Sequence, residues 1–175
     1  MEVITAVESI VNACPSVFLG GGIVGAPKWQ EEIIEILREG RKGGLIYNPR
    51  RPIFPFEDPD AAYEQINWEF EALAVSDVFS MWFCAGESER PICMYELGRH
   101  LVLREDRTGG GFCHIAIGIE KGYRREADVR IQMGLIYSPD VGRISETLEN
   151  HAGKILEELA RVARKKLGHI ADGRL

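Results

Sequence analysis

Short apolar runs alternate with stretches of helical periodicity along most of the chain, and this alternation restricts the fold more than any other feature. Four runs are bounded like buried strands, namely Ser16–Leu19, Leu45–Tyr47, Val78–Cys84 and Phe112–Ile119. Leu135–Tyr137 is a weaker fifth candidate, and residues 1–13 fit either an extra strand or a short helix. Strands that alternate with helices predict a parallel sheet covered by helices on both faces.

Helical spacing of apolar residues predicts the helices between and after these runs. The first begins near Pro27 and ends at Gly40. The second carries an apolar stripe, with Trp68 outside it, made of Tyr63, Ile66, Phe70, Leu73 and Ala74. A third runs from Pro91 to about Leu103, and a short one starts at about Asp128. The last is the clearest, because residues 148–163 form one stripe with acids at its start, bases near its end and Gly168 after it.

Length and composition favour a single domain over residues 1–175, with no room for a separate substrate domain. No apolar run approaches the roughly 20 residues of a membrane span, and the first residues lack the basic region of a signal peptide. The net charge of −6 disfavours a protein that coats a nucleic-acid polymer. The four cysteines form no CxxC pair, so we expect free thiols and a cytoplasmic location.

In a parallel sheet, ligands bind beyond the carboxyl ends of the strands, near the switch in strand order. This rule selects Gly20–Gly22, Asn48–Arg51, Cys84–Glu89 and Gly118–Arg125. Gly20–Gly25 also fits GxGxxG, which raises an NADP-linked oxidoreductase as one alternative, with Arg50 and Arg51 at a 2′-phosphate. Pro27 argues for a helix that starts too late for that motif. A tight turn that brings the backbone close to a small ligand explains the glycines equally well.

Glu96 is the most informative carboxylate. It lies about one turn into the helix after the third run, close to the predicted cleft, where the helix N-terminus favours its ionised form. An ionised carboxylate can serve as the nucleophile of a glycosyl transfer, although a surface glutamate is the alternative interpretation. Asp77 precedes the third run, which places it at the wrong end of that strand. Cys93 is better explained as a buried thiol than as a nucleophile, and no histidines pair at metal spacing, so we expect no metal and no other cofactor.

Several segments form an ordered set that carries a family resemblance: Val17–Gly22, Gly25–Gln30, Asn48–Arg51, Gln65–Phe70, Ser76–Val78, Pro91–Ile92, Tyr95–Arg99 and Gly118–Gln132. The set resembles the nucleoside 2-deoxyribosyltransferase-like family. The resemblance implies an α/β fold, a flavodoxin-like (Rossmann-like) three-layer sandwich with a five-stranded parallel sheet. It also implies an enzyme that cleaves the N-glycosidic bond of a (deoxy)nucleoside or nucleotide and transfers the deoxyribosyl group to another base. The family further implies a homo-oligomer whose neighbouring subunits complete each site.

The resemblance assigns Glu96 as the nucleophile and Asp77 as the residue that contacts the base, against the strand-end argument. The residues that we expect to bind substrate are Gly20, Gly21, Gly22, Asn48, Arg50, Trp68, Phe83, Arg90 and Tyr123. Trp68 or Phe83 would stack on the base. Arg90 stands six residues before Glu96, where the well-studied transferases carry an aspartate, and a guanidinium suits a 5′-phosphate better than a hydroxyl. Two alternatives remain, a nucleotide N-glycosidase that hydrolyses this bond and a non-catalytic nucleotide-binding sensor.

Overall fold

A five-stranded, all-parallel sheet organises the computed structural model of the chain, which describes residues 1–86, 88–103, 105–106, 111–112, 114–136 and 144–171. Its strands are β1 (Glu2–Thr5), β2 (Ser16–Gly21), β3 (Leu45–Asn48), β4 (Val78–Phe83) and β7 (Ile115–Ile119), in the order β1-β3-β2-β4-β7. Two further strands, β5 (Glu105–Asp106) and β6 (Gly111–Phe112), come between β4 and β7 in the chain. They pair with each other as a separate antiparallel ribbon. All six residues of β4 are buried, as expected for a strand covered on both faces.

The helices cover both faces of the sheet: α1 (Trp29–Gly40), α2 (Ala61–Val75), α3 (Pro91–Leu103), α4 (Glu126–Ile136) and α5 (Leu148–Ala171). The core on one face contains the buried residues of α1 and α5, and the core on the other contains those of α2, α3 and α4. This is the flavodoxin-like three-layer sandwich that the family resemblance implies. None of the helices in the described part of the chain combines the length and apolar character needed to cross a bilayer.

The fifth strand of the sheet is β1 and not the predicted Leu135–Tyr137. Leu135 and Ile136 end α4, and Tyr137 lies outside the described residues. Residues 2–5 instead pair along β3, with Glu2 opposite Leu45. The strand predicted at 112–119 begins later, at Ile115, and Cys113 lies outside the described residues. Helix α5 also continues past Gly168, because one glycine costs a helix only about 1 kcal/mol.

Most of the apolar stripe predicted for α2 lies on its outer side, although Leu73 of that stripe is buried. Tyr63, Ile66 and Phe70 are 74%, 66% and 51% exposed, whereas Ala61, Trp68, Ala72 and Leu73 are the buried residues of the helix. The two alanines are small enough to let the helix close on the sheet, and the Trp68 ring packs edge-on against Tyr47. The helix therefore buries a face that hydrophobicity alone did not select, and an apolar face remains exposed.

Strand order reverses beside β2, and this reversal positions the candidate site. From β2 the chain crosses to β3 on one side and then returns to β4 on the other side of β2. The connections after β2 and β4 therefore leave the sheet in different directions, which opens a crevice at the carboxyl ends of these two strands.

Candidate active site

A cavity of about 260 Å³ occupies this crevice. It brings together five of the predicted site residues, Gly20, Gly21, Gly22, Arg90 and Glu96. Two further chemical groups line it, the carboxyl of Glu69 on α2 and the thiol of Cys93 on α3. The residues come from the end of β2, from α2 and from the start of α3. Distant parts of the chain therefore meet at the carboxyl ends of the central strands.

The three glycines at the end of β2 are required by close packing. A Cβ on Gly20 would lie 2.8 Å from the Ser80 carbonyl oxygen, and one on Gly22 would lie 2.7 Å from Nε of Arg90. Gly21 has a φ of +149°, in the region that favours glycine, and a Cβ there would strike Trp29 and the Trp82 carbonyl. Helix α1 begins only at Trp29, so the glycines do not form the strand-to-helix turn that a dinucleotide fingerprint requires.

The β2–α1 loop (residues 22–28) turns its carbonyl oxygens toward two guanidinium groups. Nη2 of Arg50 donates to the carbonyls of Ile23 at 3.0 Å and Pro27 at 2.8 Å. From the other side, Nη1 of Arg90 donates to the Val24 carbonyl at 2.9 Å. The Arg50 guanidinium is thus hydrogen-bonded to the loop, and Arg50 does not line the cavity. Asn48, also a predicted substrate-binding residue, accepts the Arg50 backbone N–H on Oδ1 at 3.1 Å and supports the same anchor.

Arg90 lies under the loop in a strained conformation. Its φ is +50°, an uncommon value for a residue with a side chain, and its side chain lines the cavity although the residue is only 6% exposed. Among the described residues, no group accepts a hydrogen bond from its Nε. The fold therefore holds a buried guanidinium with one unused donor beside Gly22.

Two glutamates give the cavity its electrostatic character. Burial and, to a smaller extent, the nearby charge of Glu69 together raise the pKa of Glu96 to about 7, while Arg99 opposes the shift. Burial also raises the pKa of Glu69, against a hydrogen bond from Gln65 that favours the charged form. Because two buried carboxylates repel each other, the pair favours the state that holds one proton. Such a pair can supply one nucleophile and one acid or base.

Other reactive groups at the cavity are less suited to chemistry. Burial, and then the charge of Glu96, raises the pKa of the Cys93 thiol to about 12, so the thiolate is scarce near neutral pH. Within the described ranges, no group of three or more His, Cys, Asp or Glu side chains is arranged to hold a metal ion.

The structure does not bring Asp77 to the cavity. Its carboxylate accepts hydrogen bonds from the backbone N–H and the hydroxyl of Ser16, at 2.8 Å and 3.0 Å. Ser16 begins β2, whereas the cavity lies at the carboxyl end of that strand. Asp77 is therefore at the opposite, amino-terminal end of the strands. The strand-end argument from the sequence agrees with this position, and the role that the resemblance gave to Asp77 does not.

Three predicted aromatic contacts also lie outside the cavity lining. Trp68 is 5% exposed and donates from Nε1 to the Glu8 carbonyl at 2.8 Å, so it belongs to the core. Phe83 is fully buried and stacks on Tyr123 at 5.0 Å between ring centroids. The Tyr123 hydroxyl donates to the Glu89 carbonyl at 2.7 Å and thereby supports the connection from β4 to α3. In that connection, Glu87 lies outside the described residues.

Glu69 is the site residue that sequence reasoning missed. Its segment, Gln65–Phe70, carries part of the family resemblance, and a glutamine four residues before a glutamate is a readable signal on a helix. The apolar stripe predicted for α2 would turn a different face of the helix toward the sheet. Glu69 would then not face the cleft. Tertiary packing of Trp68 and the two alanines decides the orientation.

The profile of the family described as "nucleoside 2-deoxyribosyltransferase like" matches residues 14–106. No curated protein matches the sequence significantly. The matched segment contains β2, β3 and β4 and every residue that lines the cavity, including Glu69, Arg90 and Glu96. It covers more than half of the 175 residues, and the chain therefore belongs to the nucleoside 2-deoxyribosyltransferase-like family.

Proposed function

We propose that the protein cleaves the N-glycosidic bond of a deoxynucleoside or deoxynucleotide and transfers the deoxyribosyl group to another base. The observation that carries this proposal is the pair of partly buried carboxyl groups, Glu96 and Glu69, in one cavity at the switch point of the sheet. Family membership supports the class of reaction. Glu96 is the proposed nucleophile, and Glu69 is the proposed acid and base.

In the first step, the Glu96 carboxylate attacks the anomeric carbon while the bond from that carbon to the base nitrogen breaks. Glu69, in its protonated form, gives its proton to the departing base, and the sugar remains bound to Glu96 as an ester. The first step needs Glu96 ionised and Glu69 protonated, and the second needs Glu69 ionised. Because the charge of Glu69 raises the pKa of Glu96, the shared proton must pass from Glu96 to Glu69 before the attack.

In the second step, a nitrogen of the incoming base attacks the same carbon and the ester bond to Glu96 breaks. The proton of that nitrogen passes to Glu69, which restores the starting state, and two displacements retain the anomeric configuration. Water in place of the second base gives free sugar, so transfer and hydrolysis differ only in the acceptor.

The test is a set of incubations with deoxynucleosides and their monophosphates, each with and without a spare base, followed by chromatography. We expect exchange of the base, and we expect Glu96→Gln to abolish it while the circular dichroism spectrum stays unchanged. Release of free base without exchange would point to a hydrolase. Binding without turnover of any substrate would support a sensor and contradict the proposal.

Arg90 supports a nucleotide rather than a nucleoside as the substrate, for a transferase and for the alternative nucleotide N-glycosidase alike. The Arg90 side chain lines the cavity, and a 5′-phosphate bound there would bring an acceptor of matching charge. We expect kcat/KM to be higher for monophosphates than for nucleosides. We expect Arg90→Gln to reduce this preference for monophosphates. A clear preference for unphosphorylated substrates would contradict the phosphate role.

We further propose a homo-oligomer in which neighbouring subunits complete each site. The α2–α3 face, the outer side of these two helices, exposes Ile66, Phe70, Ile92, Tyr95 and Val102. Arg99 of α3 lies 4.5 Å from the centre of the Phe70 ring, so the two helices form one continuous surface. Ile92 belongs to this face and also lines the cavity, so a second copy seated there adds a wall to the site. Free thiols at Cys14, Cys84 and Cys93 support a reducing compartment, and we propose the cytoplasm.

A further inference from the structure

The side chain of Gln65 connects Glu69 to the end of β3. Its Nε2 donates one hydrogen bond to Oε1 of Glu69 at 2.6 Å, one helical turn away. The same nitrogen donates to the backbone carbonyl of Pro49 at 2.7 Å. Both amide hydrogens are therefore used, and among the described residues Oε1 of Gln65 has no hydrogen-bond partner.

The Pro49 carbonyl fixes the orientation of this amide. A backbone carbonyl is an acceptor in every protonation state, so the nitrogen of Gln65 must face it. A flipped amide would place Oε1 of Gln65 against the Pro49 carbonyl, and the two acceptors would repel each other. The nitrogen that Pro49 holds in place also faces Oε1 of Glu69, and that oxygen must consequently accept.

We propose that Gln65 is a positioning residue that confines the proton of Glu69 to Oε2. A proton on Oε1 would meet the amide hydrogens of Gln65, two donors facing each other, whereas Oε2 carries it without conflict. The inference rests on the acid and base role proposed for Glu69. It means that proton exchange with the base takes place through one oxygen of a fixed carboxyl group, and the donor that fixes it is not itself at the cavity.

The charges around Glu69 set the direction of the expected change. Glu96 and Cys93 on α3 face the cavity with it, Arg90 lies at its rim, and Arg99 lies on α3 near Glu96. The bond from Gln65 favours the charged form of Glu69 and so lowers its pKa, against burial. Removal of the amide leaves burial unopposed, and the pKa of Glu69 then rises.

Helix α2 contains a matched control for this bond. Asn67 donates from Nδ2 to Oε1 of Glu71 at 3.0 Å, which is the same type of amide-to-carboxylate bond at the same spacing. Both partners are exposed, and neither lines the cavity beside Glu69. Loss of this second bond tests what such a contact contributes to the helix alone.

The experiment compares Gln65→Met and Asn67→Leu with the unaltered protein, using carbon-13 NMR titration of the glutamate carboxyl groups. Glu69→Gln and Glu96→Gln identify the two resonances. We expect the Glu69 resonance of Gln65→Met to titrate at higher pH, and Asn67→Leu to leave it in place. In the exchange assay, kcat of Gln65→Met falls about tenfold, which corresponds to the loss of one hydrogen bond to a charged group, while KM stays within about twofold.

An unchanged Glu69 titration in Gln65→Met would overturn the proposal, and so would an equal shift in Asn67→Leu. If Met at position 65 disturbs the fold, Gln65→Leu removes the same donors with less bulk and has the same expected outcome. The titration needs no substrate. A protein that exchanges no base therefore contradicts the proposed function, while the titration separately decides whether Gln65 governs Glu69.

Discussion

At the residue scale, the Glu69–Glu96 pair combines chemical use with a cost in stability. Each carboxyl is partly buried, and the charge of Glu69 raises the pKa of Glu96. A surface pair of glutamates would both be ionised at neutral pH and could not divide the roles of nucleophile and acid. Burial in the crevice is thus what makes two identical residue types chemically different.

Removal of the Glu69 charge tests this coupling in catalysis. In Glu69→Gln, the pKa of Glu96 falls because a neighbouring negative charge is gone, so ionised Glu96 persists to lower pH. The acidic limb of the kcat/KM profile for base exchange, which rises through about pH 7 in the unaltered protein, moves to lower pH, and the maximal rate falls because the acid is lost. An acidic limb that stays in place would show that the two groups are not coupled.

Glu96→Gln tests the same pair through stability. The pKa of Glu96 is about 7 in the folded chain against an ordinary value of 4.5, so the folded state binds more protons between these two pH values. The contribution of Glu96 to stability therefore falls as pH rises from about 4.5 to about 7, and an uncharged glutamine avoids this loss. We expect urea denaturation at pH 8 to show the variant more stable by on the order of 1–3 kcal/mol, with little difference at pH 4. Equal stability at pH 8 would contradict the assigned burial.

At the element scale, the β2–α1 loop is shaped by side chains from distant elements rather than by its own sequence. Arg50 follows β3 and Arg90 precedes α3, yet both donate to carbonyls of the loop. The sequence indicates that Gly20–Gly22 allow a close approach, but it cannot show that arginines occupy the space beneath them. Arg50 and Arg90 both donate hydrogen bonds to the loop, so part of the positive charge near the cavity is used to hold the loop in place.

Arg50→Lys tests the role of this anchor. A lysine keeps the charge but cannot reproduce the guanidinium fork that reaches Gln30, Ile23 and Pro27 together. We expect faster amide hydrogen exchange in residues 22–28 and a several-fold rise in KM, with the secondary structure unchanged. Arg38→Lys, at an exposed arginine on α1, serves as the control. Unchanged exchange in the loop would remove the anchoring role.

Helix α5 is fixed to the sheet by a buried polar contact. His151 is fully buried and bonds through Nε2 to the Ser80 hydroxyl of β4 at 2.8 Å, and a Cβ on Gly118 would lie 2.9 Å from its Nδ1. Burial lowers the pKa of His151 to about 3, so the ring is neutral in the fold. The sequence predicts α5 itself, but Ser80, Gly118 and His151 are too far apart in sequence for any pattern to link them.

Ser80→Ala tests this contact. The variant leaves Nε2 of a buried ring without its partner, which costs about 1–3 kcal/mol, and urea denaturation at pH 7.5 measures the loss. The contribution of His151 to stability should also fall as pH drops from about 6.5 toward 3, because the unfolded chain protonates His151 and the folded chain does not. Ser9→Ala, in an exposed loop, is the control, and a loss no larger than in that variant would exclude a structural role for the bond.

At the scale of the whole molecule, the sequence predicts the α/β class, the parallel sheet and the position of Glu96, because each follows from local patterns and the strand-end rule. It misplaces what depends on packing between elements, such as the outer face of α2 and the core positions of Trp68, Phe83 and Tyr123. The family match at residues 14–106 includes the site, whereas β1 and β7, the two edge strands of the sheet, lie outside it. The site is thus built on the central strands, and the outer strands extend the sheet around it.

The exposed α2–α3 face yields the last prediction, on assembly. An apolar surface beside the cavity can bind a second copy of the chain. A charge introduced in the centre of this surface would be buried without a partner on association. We expect Ile66→Glu to shift the protein toward the monomer in sedimentation velocity and to lower base exchange most at low protein concentration. Leu167→Glu on α5 is the matched control, because both side chains are 66% exposed and Leu167 lies on the opposite layer. If the two variants sediment alike, the α2–α3 face is not the interface. If Ile66→Glu dissociates yet keeps full activity at every concentration, each site is complete within one subunit.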